Sequence, residues 1–466
     1  MGSTATLEGS LYELVARGNK DVYYIADTKE ANNLFDARYD ATPPVVHELR
    51  RLPPLNEPDF GRSFEFQLEI AGDVIIEPTL LIDLPSWIPR QRKALNTNGV
   101  IRDLSDVSYG YVNGIGFFLF EKIQLLQDNI LIQEFSGDAL WATSRSRGSL
   151  NSAFLDNKLL GIHDGSSLSI GRNATPGRLR LQIPLFGCQS LDDGGFPSLK
   201  LSQQNYRIRC FLRKLEDLVE ASDSSEKPTP WLKTLQVQTV RNGDFTPFTP
   251  LTRSEIETPV ILLETRHVYT DADTQKELKK KRLDIPFERL YENIYSQSGN
   301  DYAPITRGST PIILRRLEGV HPASRIISFF RSAITLRRNQ LWKITNDVSG
   351  SEYYGNLKLL IAGRDRETLF TPLVWNKIVT HAKAERDSGL PFAVMDWGLG
   401  DLRSRQAPFG RQLEGSINMT TADRPTLYFE LSDIGYGPRS SELRSIVETW
   451  ASMTVENQRA ALWFAN

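Results

Sequence analysis

Apolar and polar residues alternate without a break from Phe64 to Ile70. Phe64, Phe66, Leu68 and Ile70 are apolar, and Glu65, Gln67 and Glu69 lie between them. A period of two is that of a strand buried on one face. Ala71-Gly72-Asp73 follows as turn chemistry, because glycine supplies a positive φ and aspartate bonds back to its own backbone. A second apolar stretch runs from Val74 through Ile76 to Leu84 and stops at Pro85, which predicts a hairpin-like pair of strands over Phe60–Pro85. Strand-like runs recur at Gly116–Leu126, Arg178–Phe186 and Tyr206–Leu212, with turn clusters such as Gly165-Ser-Ser, Gly171-Arg-Asn and Asp192-Asp-Gly-Gly195 between them. Short strands punctuated in this way argue for an all-β sandwich or jelly roll.

Other stretches break the alternation. Leu11, Leu14 and Val15 share one side of a short helical turn that Gly18 ends. Prolines 43, 44, 53, 54 and 58 predict a rigid extended connection over residues 42–60. Residues 222–257 read as a linker, polar at SDSSEKPTP and rich in Pro and Thr at GDFTPFTPLT. Thr258–Tyr269 reads as a strand opening the second half and ending in Thr270-Asp-Ala-Asp273, and the polar DTQKELKKKRLDIPFERLYEN after it as one or two short helices. Leu443, Ile446, Val447, Trp450 and Met453 fall at helical spacing, so Ser441–Phe464 is expected to be a docked C-terminal helix. The resulting map is an N-terminal arm (1–24), a first sandwich (25–221), a linker (222–257), a second sandwich (258–440) and a helical tail (441–466).

Length agrees with two domains, since 466 residues exceed what one core supports, roughly 250–300. A net charge of −2 gives the chain no overall bias toward nucleic acid or an acidic membrane. The two cysteines, Cys188 and Cys210, are too few for a disulfide scaffold and fit a reducing compartment. The first residues, GSTATLEGS, lack the basic and apolar regions of a signal peptide, and no apolar run is long enough to span a bilayer, so folding in the cytosol is expected.

Catalytic and ligand motifs are incomplete. His47-Glu48-Leu49-Arg50-Arg51 begins like a zinc-protease helix, but Arg51 stands where the second histidine must be. The five histidines, His47, His163, His267, His321 and His381, form no local ligand pair. Gly114-Ile-Gly116 and Gly398-Leu-Gly400 lack the third glycine of a dinucleotide loop. KELKKKR, Lys276 to Arg282, is the one basic cluster; Asp271, Asp273, Glu277 and Asp284 flank it, which favours a solvated helix face over an anion site. Asn173-Ala-Thr and Asn418-Met-Thr are formal glycosylation sequons, disfavoured without a signal peptide. The expectation is no catalytic residue, no metal site and no cofactor.

Several segments, in order, resemble the major capsid proteins of nucleocytoplasmic large DNA viruses. In that family one strand ends at Gly-Asp and the next at Leu-Pro, here Gly72-Asp73 and Leu84-Pro85. Leu11, Leu14, Val15, Gly18, Asp21, Val22 and Tyr23 match its N-terminal signature. Tyr269, Asp271 and Asp273 fit its strand, acidic turn and charged helix. His321-Pro322 before Ile326–Phe330 resembles a His-Pro strand whose Lys-Glu pair is Ser324-Arg325 here. Gly363-Arg364, Arg366 and Leu369-Phe370 resemble its loop-helix segment, and Gly415-Ser416-Ile417-Asn418-Met419 with Leu427-Tyr428-Phe429 its last strands. The resemblance covers roughly residues 10–435. It implies two tandem antiparallel jelly rolls with short helices in the loops, in a homotrimeric capsomer of pseudo-hexagonal outline tiling an icosahedral capsid. The implied partners are further copies of the chain, neighbouring capsomers and minor capsid proteins on the inner face, near an inner viral membrane and without direct nucleic-acid contact. Leu11, Leu14, Val15, Val22 and Tyr23 of the arm would make the inner-face contacts, and the protein would be made in host cytoplasm and reside in the virion. A minor capsid protein of the same fold, and a glycan-binding or glycan-active β-sandwich, are the alternatives.

Overall fold

The structure is a computed structural model that describes residues 45–85, 93–95, 101–103, 108–146, 158–188, 195–222, 257–297, 312–345, 354–365, 369–383, 390–397, 415–420, 425–431 and 441–463. These residues fall within one compact unit that begins at Val45. The chain opens with β1 (Val45–Leu52), β2 (Ser63–Gln67) and β3 (Val74–Asp83). β4 (Lys93–Leu95) and β5 (Ile101–Asp103) pair as a ribbon. β6 (Tyr109–Tyr111) leads into α1 (Ile115–Phe118), and β7 (Phe120–Gln127) and β8 (Ile130–Ser136) into α2 (Gly137–Ser146). After α3 (Ser167–Arg172) come β9 (Leu179–Gln182), β10 (Tyr206–Leu212) and β11 (Val219–Ala221). β12 (Val260–Thr270) and α4 (Ala272–Lys280) precede β13 (Leu283–Gln297), β14 (Ile312–Arg316), β15 (Pro322–Ser332) and α5 (Ala333–Arg337). β16 (Tyr354–Ile361), β17 (Arg364–Asp365), α6 (Pro372–Lys383) and β18 (Ala393–Asp396) follow. The last elements are β19 (Ile417–Asn418), β20 (Thr426–Leu431), β21 (Ser441–Glu456) and β22 (Arg459–Trp463).

Two antiparallel sheets, β1-β12-β3-β9 and β2-β10-β7-β8, enclose the first core. Phe64, Phe66, Ile123, Leu125, Ile208 and Cys210 fill it from one sheet, and Leu80, Ile82, Leu181 and Leu263 from the other. The second sandwich pairs β13-β21-β15-β18 with β14-β20-β16-β17. Its core holds Ile326, Phe330, Leu443 and Val447 against Leu357, Leu359, Leu427 and Phe429. The β13-β21-β15-β18 sheet is buried on both faces. Neighbours along each strand go to opposite cores: Ile327, Phe329 and Ile446 join the first, while Ile326, Phe330 and Val447 join the second. The two halves therefore share one sheet as a wall.

That wall explains the main departure from the sequence reading. Of the expected helix Ser441–Phe464, the described residues up to Trp463 are strands: β21 runs between β13 and β15, and β22 folds back on it. A strand buried on both faces carries apolar residues at odd and even positions, and some of these fall by coincidence at helical spacing. Leu283–Gln297 is likewise a strand, paired residue by residue with β21, and only Ala272–Lys280 of the charged stretch is helical.

Other expectations shift as well. β2 and β3 do not form a hairpin: β2 pairs with β10, while β3 pairs with β12 and β9, so Ala71–Asp73 carries the chain from one sheet to the other. Gly72 N–H donates to His267 Nδ1 (3.3 Å) and Asp73 N–H to Val268 O (2.9 Å), which holds that crossing against β12. The prolines of residues 42–60 flank a strand, β1, instead of marking a continuous connection. Gly116–Leu126 divides into α1 and β7. Thr258–Tyr269 is the expected strand, yet β12 lies between β1 and β3 in the first sandwich. The arm, residues 1–24, and all of the linker but Ser222 and Glu257 lie outside the described residues.

Candidate functional site: a buried charge junction between the halves

Asp138, in the first turn of α2, is fully buried and pairs with three arginines. Ser136 precedes that helix and accepts the Ala139 N–H at 2.9 Å, the usual satisfaction of an open helix start. Gly137 lets α2 lie against the α1–β7 corner, because an added Cβ would sit 2.3 Å from both Phe117 O and Phe120 O. This packing delivers a fully buried carboxylate to the wall between the sandwiches.

Three arginines meet it there. Arg331 of β15 and Arg213, just after β10, donate to separate oxygens of Asp138, and Arg444 Nη1 of β21 donates to Oδ2 at 2.9 Å. Arg444 also binds Glu292 of β13 (2.6 Å) and Glu442, so three carboxylates face three guanidinium groups. Burial pushes the Asp138 carboxyl up, but the charges of Arg331, Arg213 and Arg444 outweigh it and hold the group far below the usual carboxylate range. Arg331 is fully buried, and its guanidinium lies 5.0 Å from the Phe329 ring centre and 5.6 Å from those of Phe118 and Trp141. Aromatic faces take part of its positive charge where water cannot reach.

Further bonds join the halves around this centre. Asn339, after α5, donates to Glu216 O (2.6 Å) and Val219 O (2.8 Å). Trp342 Nε1 donates to Glu220 Oε2 (3.1 Å), whose other oxygen lies 2.9 Å from His163 Nε2. His163 Nδ1 accepts the Gly165 N–H (3.0 Å), which places the ring proton on Nε2, facing Glu220. At the far end, Gln127 and Gln204 grip Ala460 of β22: Gln127 Nε2 donates to its carbonyl (2.8 Å) and Gln204 Oε1 accepts its N–H (2.7 Å). Gln133 is buried and bridges Phe186 N–H (2.7 Å) to Glu288 O (3.1 Å). Charge and amide pairing thus fix the two sandwiches in one orientation.

The residues singled out in the sequence lie elsewhere. Leu11, Leu14, Val15, Val22 and Tyr23 are outside the described residues. His47 is exposed on β1, His267 is buried against the Gly72 turn, His321 is buried ahead of β15, and His381 belongs to α6. Among the described residues, no group of three His, Cys, Asp or Glu side chains could hold a metal ion. Both cysteines are buried thiols, and Cys188 Sγ donates to Ile75 O (3.2 Å). Asn173 is also buried and donates to Tyr111 O (2.8 Å), whereas Asn418 is exposed. The basic run occupies α4 and its exit, where Lys276 pairs with Asp273 (3.1 Å) and Arg282 with Asp284 (3.3 Å), as a solvated face does. Asp138, Arg331 and Arg444 escaped the sequence reading. The only local signal was an arginine inside the apolar run Ile326–Phe330-Arg331.

No family model matches the chain, and no curated protein matches it. Solved structures do. A crystal structure of PBCV-1 VP54, fitted into a cryo-EM reconstruction of the virophage Sputnik, aligns with a TM-score of 0.67 at 12% identity, covering 93% of this chain and 100% of that one. A quasi-atomic structure of the PBCV-1 virus capsid gives 0.65 at 13% identity over 93% and 100% of the two chains. The Faustovirus major capsid protein gives 0.59 at 11% identity over 91% and 93%. The fold is thus that of viral capsid proteins of the double jelly-roll class. At these identities the likeness is one of architecture, and it spans both sandwiches in tandem.

Proposed function

We propose that the chain is a major capsid protein that trimerises into pseudo-hexagonal capsomers and tiles an icosahedral shell. The observation carrying this reading is the shared wall. Two sandwiches joined through a doubly buried sheet and the Asp138 junction make one rigid body, which a shell tile requires and a pocket enzyme does not. The double jelly-roll likeness over nearly the whole chain supports it, and among the described residues β1 and β14 are edge strands on which Val46, Leu49, Ile312 and Leu314 are exposed. Unpaired edges with apolar side chains invite coverage by another chain. A tandem pair of similar sandwiches repeated about a three-fold axis gives six in a ring, with a closed heterologous interface. In this reading the arm of residues 1–24, through Leu11, Leu14, Val15, Val22 and Tyr23, meets minor capsid proteins on the inner face, near an inner viral membrane. Residence is in the virion, after synthesis in host cytoplasm, and the protein performs no catalysis.

Light scattering on the purified chain tests this. The expected mass is that of three chains, held by interfaces of roughly 2,000 Å² or more. A monomer at micromolar concentration at every salt tried would overturn it. Copy number per virion then distinguishes a major from a minor shell component.

A further inference from the structure

A cavity of about 660 Å³ opens between α2, β9 and β13, beside the charge junction and apart from it. Its floor is apolar and buried, made by Phe117, Phe135, Leu140, Leu181 and Cys188. Leu290 of β13 lines it from the second half, so both sandwiches contribute. Protein interiors hold few voids larger than a water molecule, and sites for small ligands run to roughly 300–1,000 Å³.

The rim differs from the floor. Ser144 on the last turn of α2 and Gln182 at the end of β9 bring a hydroxyl and an amide group, and Thr143, whose hydroxyl donates to Glu448 Oε1 (3.3 Å), leaves its oxygen as an acceptor. Of the charged lining residues, Arg180 binds Glu264 (2.5 Å), which Arg51 also binds (2.9 Å), Glu77 binds Arg266 (3.2 Å), and Glu288 adds a second carboxylate. A charged ligand head would be desolvated beside ion pairs that are already made, whereas an uncharged polar head finds hydrogen-bond partners.

We propose that this cavity binds a single-chain amphiphile with an uncharged, hydroxyl-bearing head. The tail lies on the Phe117, Phe135, Leu140 and Leu181 floor, and the head sits at Thr143, Ser144 and Gln182. Because the tail touches Leu140 on one side and Leu290 on the other, occupancy stabilises the two halves as a unit, by mass action on the folded state.

The test uses the full chain and a series of monoacylglycerols, each below its micelle concentration, with calorimetric titration and thermal unfolding as readouts. Affinity should rise about fourfold per added CH₂ over tails of roughly six to twelve carbons and then stop rising once the cavity is full. The fatty acid of equal tail length should bind roughly tenfold more weakly, since its carboxylate would be desolvated next to the carboxylates of Glu77 and Glu288 while Arg180 is held by Glu264. Ser144→Trp, at an exposed rim position, should abolish binding without lowering the melting temperature of the unliganded chain; Gln182→Trp provides the same plug from the opposite side if Ser144→Trp disturbs α2. A rise with no plateau, or binding unchanged by both plugs, would mean surface adsorption and overturn the site. Equal affinity for the fatty acid would overturn the uncharged head, and the absence of heat and of any melting shift up to the solubility limit would overturn the proposal outright.

Discussion

Asp138 on α2 and Arg331 on β15 form an ion pair in which neither side chain has any solvent exposure, and they stand 193 residues apart in the chain. The pair crosses the wall between the sandwiches. Breaking a buried pair by removing one partner leaves an uncompensated charge, which costs about 3–5 kcal/mol. Asp138→Asn should lose about that much stability, because three arginines would then converge on a neutral amide. Arg213→Gln should lose less, since Arg213 retains some contact with water. Urea midpoints of the two variants against the parent decide this; equal losses would show that the junction does not discriminate by burial.

Acid should reach the fold in two stages. Two buried histidines share the first: His321, its pKa lowered by burial and by Arg289, and His267, its pKa lowered by burial and by Arg50 against the opposing pull of Glu48 and Glu69. Both folded pKa values lie below the unfolded value of about 6.5, so the unfolded chain binds more protons below that pH. The associated stability is present above pH ~6.5 and declines as pH falls. Protonation of His267 Nδ1 also removes the acceptor for Gly72 N–H. Asp138, depressed much further, adds a second decline that begins only below about pH 4, the unfolded carboxylate range. His267→Asn retains an acceptor without titrating and removes only one part of the upper limb, so it should partly flatten the melting-temperature profile between about pH 5 and 6.5 while leaving the lower limb intact. An unchanged upper limb would remove His267 as one of its causes.

Gly137→Ala should be among the most damaging single-methyl changes. The added Cβ meets two backbone carbonyls at 2.3 Å, and neither can swing aside as a side-chain tip can. The α2 start must shift, and Asp138 with it, so a loss of about 1–3 kcal/mol from overpacking is expected. Near-ultraviolet circular dichroism should show it in the Trp141 environment, because Trp141 packs between Phe118 and Phe329 at ring distances of 5.5 and 5.6 Å. An unaltered spectrum and melting temperature would mean that the corner is looser than described.

Much of the architecture was legible because its strands have one wet face. Tyr206–Leu212 alternates buried and half-buried along its whole length, and its bounds match the sequence reading. Gly72-Asp73 bends the chain between two sheets, not within one hairpin, and for other reasons than expected. Gly72 is not in the left-handed region but lies where a Cβ would meet His267 Cβ at 2.9 Å, and the Asp73 carboxylate accepts from Thr270 N–H (2.7 Å) and not from its own turn. β21 was misread because it has no wet face: Ile446 and Val447 enter different cores, and no periodicity distinguishes such a strand from a buried helix. The junction was illegible for a different reason. Asp138, Arg331 and Arg444 lie in three separate elements and Arg213 just after a fourth, and only the topology brings them together.

The glutamine clasp on β22 gives the last prediction. Ala460 is buried, and among the described residues β22 pairs with β21 alone, so its outward N–H and C=O need partners from elsewhere. Gln204 supplies both, accepting the N–H at 2.7 Å and donating to the carbonyl at 3.3 Å, while Gln127 donates to the same carbonyl at 2.8 Å. In Gln204→Ala the N–H is orphaned and the carbonyl keeps Gln127, so the loss should be that of one unsatisfied buried donor, about 1–3 kcal/mol. Gln203 provides the control: it bonds Gln458 (3.0 Å) and Arg459 (3.2 Å) at exposed positions, and Gln203→Ala should change stability by less than about 0.5 kcal/mol. Hydrogen exchange at the Ala460 amide gives the local readout. Gln204→Ala should speed exchange there and along Arg459–Trp463 ahead of any change in the first core, because the hairpin can open from its tip while the rest stays folded. If protection at Ala460 fell only together with that of Ile208 and Leu125, the clasp would be part of the global unfolding unit, and β22 would owe its place to β21 alone.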